Sequence, residues 1–136
     1  MKIAFEAQPL LDNKKTGIAY CEQGLTLSMI DSHPHDNFLF EFFCFRNRIE
    51  KNKMLDIFKR ENVLLNQCKW FPQKLYKIIT CILPLPYKFF FGNNADVTHF
   101  FNYIVPPFVG GKTVVTVHDM TFMAYPETMD RKNRII

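Results

Sequence analysis

The chain has 136 residues, 48% of them hydrophobic and 22% charged, with fifteen phenylalanines and a net charge of +4. This is enough apolar material for one domain with a real core, which excludes a wholly disordered chain. The modest basic excess suits an anionic ligand or a membrane surface without demanding nucleic acid. Cys21, Cys44, Cys68 and Cys81 are too widely spaced for a CxxC metal pair or a dense disulfide framework, so reduced thiols in a cytosolic setting are expected. Glu6 follows only three apolar residues and leaves no room for a signal-peptide core.

Residues 2–7 read as a short apolar strand, followed by a loop over 8–15. Thr16 is an N-cap candidate for a helix running to Asp31, with Ile18, Cys21, Leu25 and Met29 at the spacing of an inward stripe. A turn around Pro34 leads into a second strand over 38–45, continuously apolar except for Glu41. Strand, helix, strand in that order implies a right-handed crossover and a parallel pair. Residues 46–60 are charge-rich, with Met54, Leu55 and Phe58 marking one weak helix on the surface. A short strand at Val63, Leu64 and Leu65 precedes a second crossover helix from Phe71 to Leu83, stopped by Pro84 and Pro86. Residues 88–94 are expected to be loop, and 96–100 and 113–117 to be strands.

Val114, Val115, Thr116 and Val117 form a β-branched run that stops at His118 and Asp119. Such a run reads as a strand buried on both faces of a parallel sheet, with the polar pair just past its carboxyl end. Open α/β sheets bind ligands at that end. The first strand likewise runs into Glu6 and Gln8, and the 96–100 strand carries His99 and leads to Asn102, so three strands deliver polar groups to one rim. A histidine there can donate to a ligand hydroxyl or a developing charge, and the adjacent acid can fix its tautomer; core packing for His118 and a turn cap for Asp119 are equally open. Gly17 and Ile18 open the first helix, where free N–H groups can receive a phosphate, although the GxGxxG and Walker patterns are absent. His33 and His35 flank Pro34 with no third ligand near, which reads as a solvated turn. There is no Ser-His-Asp pattern, no paired catalytic carboxylates and no EF-hand loop, so hydrolase chemistry has no support.

Apolar residues from Ile78 to Phe91 are interrupted by Pro84, Pro86 and Lys88 and fall short of a membrane span. Tyr87, Lys88, Phe89, Phe90 and Phe91 mix a cation with rings in the manner of an interfacial anchor, although a loop packed on the domain is the more ordinary reading. The phenylalanines over 38–45 and 89–91 are expected to leave surface that a missing partner covers. Residues 130–136 read as the first turns of an uncapped helix, begun near Pro126, so the chain is expected to be a fragment or truncated product.

Three segments, KIAFEAQPLLDNKKTGIAY at the start, ADVTHFFNYIVPPF in the middle and VVTVHDMTFMAYPETM late, together resemble the N-terminal half of a family 4 glycosyltransferase of the GT-B fold. This is the retaining, nucleotide-sugar-dependent group that includes bacterial mannosyl- and rhamnosyltransferases. The resemblance implies an α/β, Rossmann-like, mostly parallel sheet forming one acceptor-side domain over residues 1–136. It implies that Gly17 and Ile18 approach the donor's phosphates, that His118 and Asp119 serve the transferred sugar, and that Gln8, His99 and Asn102 line the acceptor side. The implied partners are a nucleotide-sugar and a glycan or lipid-linked acceptor, with polysaccharide biosynthesis at the inner face of a membrane as the setting and no metal or other cofactor. Glu6 and Ala19 stand where such sequences often carry Asp and Gly, and the donor-binding motifs of the second domain are absent. The domain is therefore expected to be inactive alone. The alternatives are a stand-alone module that docks a protein or membrane, and a decayed gene product.

Overall fold

A computed structural model describes residues 1–46, 48–102, 104–118 and Ala124, with the backbone alone for Arg48 and Ile49. The strands are β1 (Lys2–Glu6), β2 (Asn37–Phe43), β3 (Val63–Cys68), β4 (Val97–Phe100) and β5 (Lys112–Val115), and the helices are α1 (Gly17–Ser32), α2 (Arg48–Met54), α3 (Gln73–Thr80) and α4 (Tyr87–Phe91). All four strand pairings are parallel, and the spatial order is β3-β2-β1-β4-β5. This is the doubly wound, Rossmann-like α/β order, and it reverses between β1 and β4.

The register explains how the apolar runs are used. Ile3 pairs with Phe38 and Phe5 with Phe40, and Phe42 continues the same face. These rings join Ile30 of α1 with Leu55 and Phe58 in one buried cluster. On the opposite face Phe43, Cys68 and Phe100 pack with Tyr76 of α3 and with Tyr87 and Phe91 of α4. Both faces of β2 are thus covered, as its continuous apolar sequence requires.

Four expectations change. The buried stripe of α1 is Ala19, Glu22, Thr26 and Ile30, one position on from the anticipated set, while Cys21 and Leu25 face outward. The sheet under α1 is built from phenylalanine rings, and the small Ala19 and Thr26 leave room for them on the buried face of the helix. Residues 87–91, expected in a loop, form α4, because Tyr87 N–H bonds to Pro107 O and Gly92 ends the turn at φ 79°. Most phenylalanines over 38–45 fill the core and need no outside partner; Phe45 and Phe89 remain exposed. The β-branched run at the end is not buried on both faces: Val114, Val115 and Val117 are 46%, 40% and 51% exposed. β5 is an edge strand, and all of its residues are exposed.

Candidate functional site

Parallel strands end together, so the order above sets β1, β4 and β5 side by side with their carboxyl ends on one rim. In sheets of this kind the crevice opens where strand order reverses, which here is between β1 and β4. The chain leaving β1 passes through a short helical turn at Pro9–Leu11, with Leu10 and Leu11 buried in the main core, before it reaches α1. Thr16 is the N-cap in extended conformation (φ −92°, ψ 173°), and its side chain makes no capping bond. The first amides of α1 are therefore not satisfied by Thr16, and a side chain at Gly17 would meet nothing within 4 Å. An open helix tip with a partial positive charge is the ordinary receptor for a phosphate. Ile18 contributes backbone at this tip while its side chain packs against the main core.

Gln8 is buried, and its Oε1 accepts a hydrogen bond from Phe43 N–H at 3.1 Å. Its carbonyl is thus committed to tying the β1 exit loop to the end of β2. Beside it, Ala7 N–H bonds to Glu41 O at 2.9 Å. These bonds set the path of the loop that leads to the α1 tip.

The β4 exit organises two imidazoles. His99 stacks on the Phe101 ring at 4.1 Å, and its Nε2 lies 2.7 Å from Thr116 Oγ1. Burial lowers its pKa from the ordinary 6.5, which favours the neutral ring. His118, exposed beyond β5, places Nε2 2.9 Å from Phe101 O. A carbonyl can only accept, so Nε2 carries the proton, and in the neutral ring Nδ1 is left as an acceptor for a ligand hydroxyl. Phe101 thus supports one histidine with its ring and orients the other with its carbonyl. Asn102 follows at the same exit, half-buried. Asp119 lies outside the described residues, as do Tyr103 and the anticipated terminal helix after Pro126.

Sequence reading missed a row of carboxyl groups. It found no paired acids, but the register sets Glu6 of β1 beside Glu41 of β2, and Glu41 beside Asn66 of β3. Glu41 Oε1 accepts from Asn66 Nδ2 at 3.1 Å. Burial pushes the Glu41 carboxyl up to about 7, with the Tyr87 hydroxyl and Asn66 pulling the other way. Tyr87 is near enough to exert that pull, yet neither its hydroxyl nor Glu41 Oε2 has a well-formed hydrogen bond. Glu6, partly buried, is likewise raised to about 7 by desolvation, with Lys77 opposing. Glu22 on α1 is fully buried with neither carboxyl oxygen bonded, and burial first, then the Glu6 charge, lift it to about 10. One signal was available: a lone acid inside the apolar run of β2 marks a buried titratable group. Only the register could pair it with Glu6.

At the opposite, amino end of the sheet, Met1, Lys2, Asn37 and residues 93–96 line a polar depression of about 430 Å³. It lies on the wrong edge for the groups described above. Compared with known protein families, curated proteins and solved structures, the chain finds no match.

Proposed function

We propose that this domain is the acceptor side of a retaining GT-B glycosyltransferase, which moves a hexose from a nucleotide-sugar to a polysaccharide or lipid-linked acceptor. The observation that carries the reading is that β1, which leads to an α1 tip left uncapped by Thr16, ends side by side with β4 and β5, whose exits bear His99 and His118, at the switch point of the sheet. Departure of a nucleoside diphosphate develops negative charge, and helix-tip amides at Gly17 and Ile18 are suited to receive part of it. His118, with Nε2 held by Phe101 O, turns Nδ1 toward a hydroxyl of the transferred sugar. Asp119 supports that loop in this reading. His99 and Asn102 face the acceptor, and Gln8 acts by holding the loop in place. A cleft closed from two sides stabilises the leaving charge better than one open face, so the reading places the rest of the donor site on a second domain. The motif likeness in three segments supports the same assignment, as does the basic excess of the chain for work beside anionic lipid at the inner face of a membrane.

The test is transfer of labelled hexose from a panel of nucleotide-sugars to a lipid-linked glycan. It is measured for the chain alone and for the chain joined to a donor-binding domain. The expected result is no turnover alone, transfer with retained anomeric configuration when joined, and a loss of roughly 100-fold in His118→Ala. Turnover by the 136-residue chain alone, or joined activity indifferent to His118→Ala, overturns the assignment.

A further inference from the structure

The positive charge of this protein has a location. From Asn62 to Ala95 the sequence contains Lys69, Lys74, Lys77 and Lys88 and not a single Asp or Glu. All four lysines are exposed, and none joins an ion pair among the described residues. The fold folds this acid-free stretch around an aromatic knob. Trp70, just past the end of β3, stacks on Phe90 of α4 at 5.3 Å and meets Phe89 edge-on at 5.6 Å. Phe90 in turn contacts Phe71, Tyr76 and Phe43, so the knob is rooted in the core. Its outer part is not covered: Trp70 is 55% and Phe89 69% exposed.

Helix α3 extends the surface. Leu75 and Ile78 lie on successive turns and are exposed, with Ile82 following just past the helix end, while Tyr76 on the opposite side is buried. Lys74 and Lys77 sit next to this ridge at helical spacing. A water-facing surface has no use for a stacked tryptophan, an exposed phenylalanine and an aliphatic ridge in one acid-free region. Rings and aliphatics bordered by lysines instead match a bilayer interface, where the apolar groups enter the acyl boundary and the ammonium groups meet lipid phosphates.

We propose that Trp70, Phe89 and the outer ridge of α3 seat this domain peripherally on an anionic lipid bilayer, with the four lysines at the headgroups. The partner is identified by charge: four exposed lysines that form no ion pair among the described residues, in a stretch of sequence without Asp or Glu, select an anionic one. Attachment is by contact, since among the described residues no helix is long and apolar enough to cross a membrane. Tyr87 and Phe91, anticipated as part of the anchor, are buried in the core and take no part. The inference stands independently of the sugar-transfer reading.

Trp70 is the only tryptophan in the chain, so its emission reports the knob directly. The full chain is mixed with vesicles of phosphatidylcholine, with or without phosphatidylglycerol, and emission and co-sedimentation are followed. A blue shift and sedimentation with the anionic vesicles, weakened by added salt, are expected. Phe89→Ser and the double change Lys74→Glu with Lys77→Glu should each cut partitioning at least about tenfold with circular dichroism unchanged. Both alter exposed side chains, so one remains informative if the other misfolds. Unchanged Trp70 emission with anionic vesicles, equal binding to neutral ones, or a blue shift that grows with protein concentration without lipid overturns the proposal; the last would assign the knob to a second copy of the chain.

Discussion

The two sides of the sheet are built on different terms. β1 and β2 are sealed on both faces by phenylalanines and helices, with Phe5, Phe38 and Phe40 wholly buried, whereas β5 lies open and β4 carries the half-buried His99. The first side supplies stability. The second carries imidazoles at its rim, where a side chain must remain reachable to act on a ligand. Segregating the two lets the exposed side carry polar groups without disturbing the core that aligns the strands.

The widest separation is expected from Phe40→Ala. Its ring lies 4.8 Å from Phe58 and 5.6 Å from Phe5, and truncation there should cost about 3–5 kcal/mol by urea unfolding. A value under about 1 kcal/mol would mean that the two sides are not distinct. Next comes acidity. The Glu41 carboxyl rises from 4.5 to about 7 on folding, so the folded state holds this proton more tightly than the unfolded chain. Its stabilising contribution is complete below pH 4.5 and is lost as pH climbs toward 7. Glu22 continues the decline toward about 10. Glu41→Gln should flatten the slope between 4.5 and 7, by about 1–3 kcal/mol in unfolding free energy measured at the two ends of that window. A wild-type slope of the opposite sign would show these acids to be solvated. The smallest effect belongs to Val115→Thr, on the open strand, expected within about 0.5 kcal/mol of wild type. A larger loss would require a cover over β5.

The sequence is most legible where one side chain has one reason to be apolar. Phe38, Phe40 and Phe42 alternate with Leu39 and Phe43 in a run that only a doubly covered strand explains, and the parallel βαβ start follows from it. The same logic misleads at Val114 to Val117, because a β-branched run looks identical in a central and an edge strand; which one it is depends on the strand order. α4 was illegible for a related reason: Tyr87 and three phenylalanines have no strong helix preference, and a bond from Tyr87 N–H to Pro107 O in a distant loop fixes the turn. At the candidate site, Gln8, Gly17, His99, Asn102 and His118 were all singled out. That His118 is oriented by the carbonyl of Phe101, just past β4, and that Glu6 and Glu41 are neighbours, are facts of the strand pairing that no local window contains.

β1 is the centre of the sheet, yet one of its two neighbours comes from far along the chain: Lys2 N–H bonds to the carboxylate of Asp96, 94 residues away. During synthesis the β3-β2-β1 side can assemble from nearby sequence, while the other edge of β1 waits for residues 97–100 to emerge. Loop closure over that distance is slow. For that interval the central strand of the protein presents a free edge on the ribosome, so a nascent-chain chaperone that shields residues 2–6 should raise the yield of folded protein more than one acting after release.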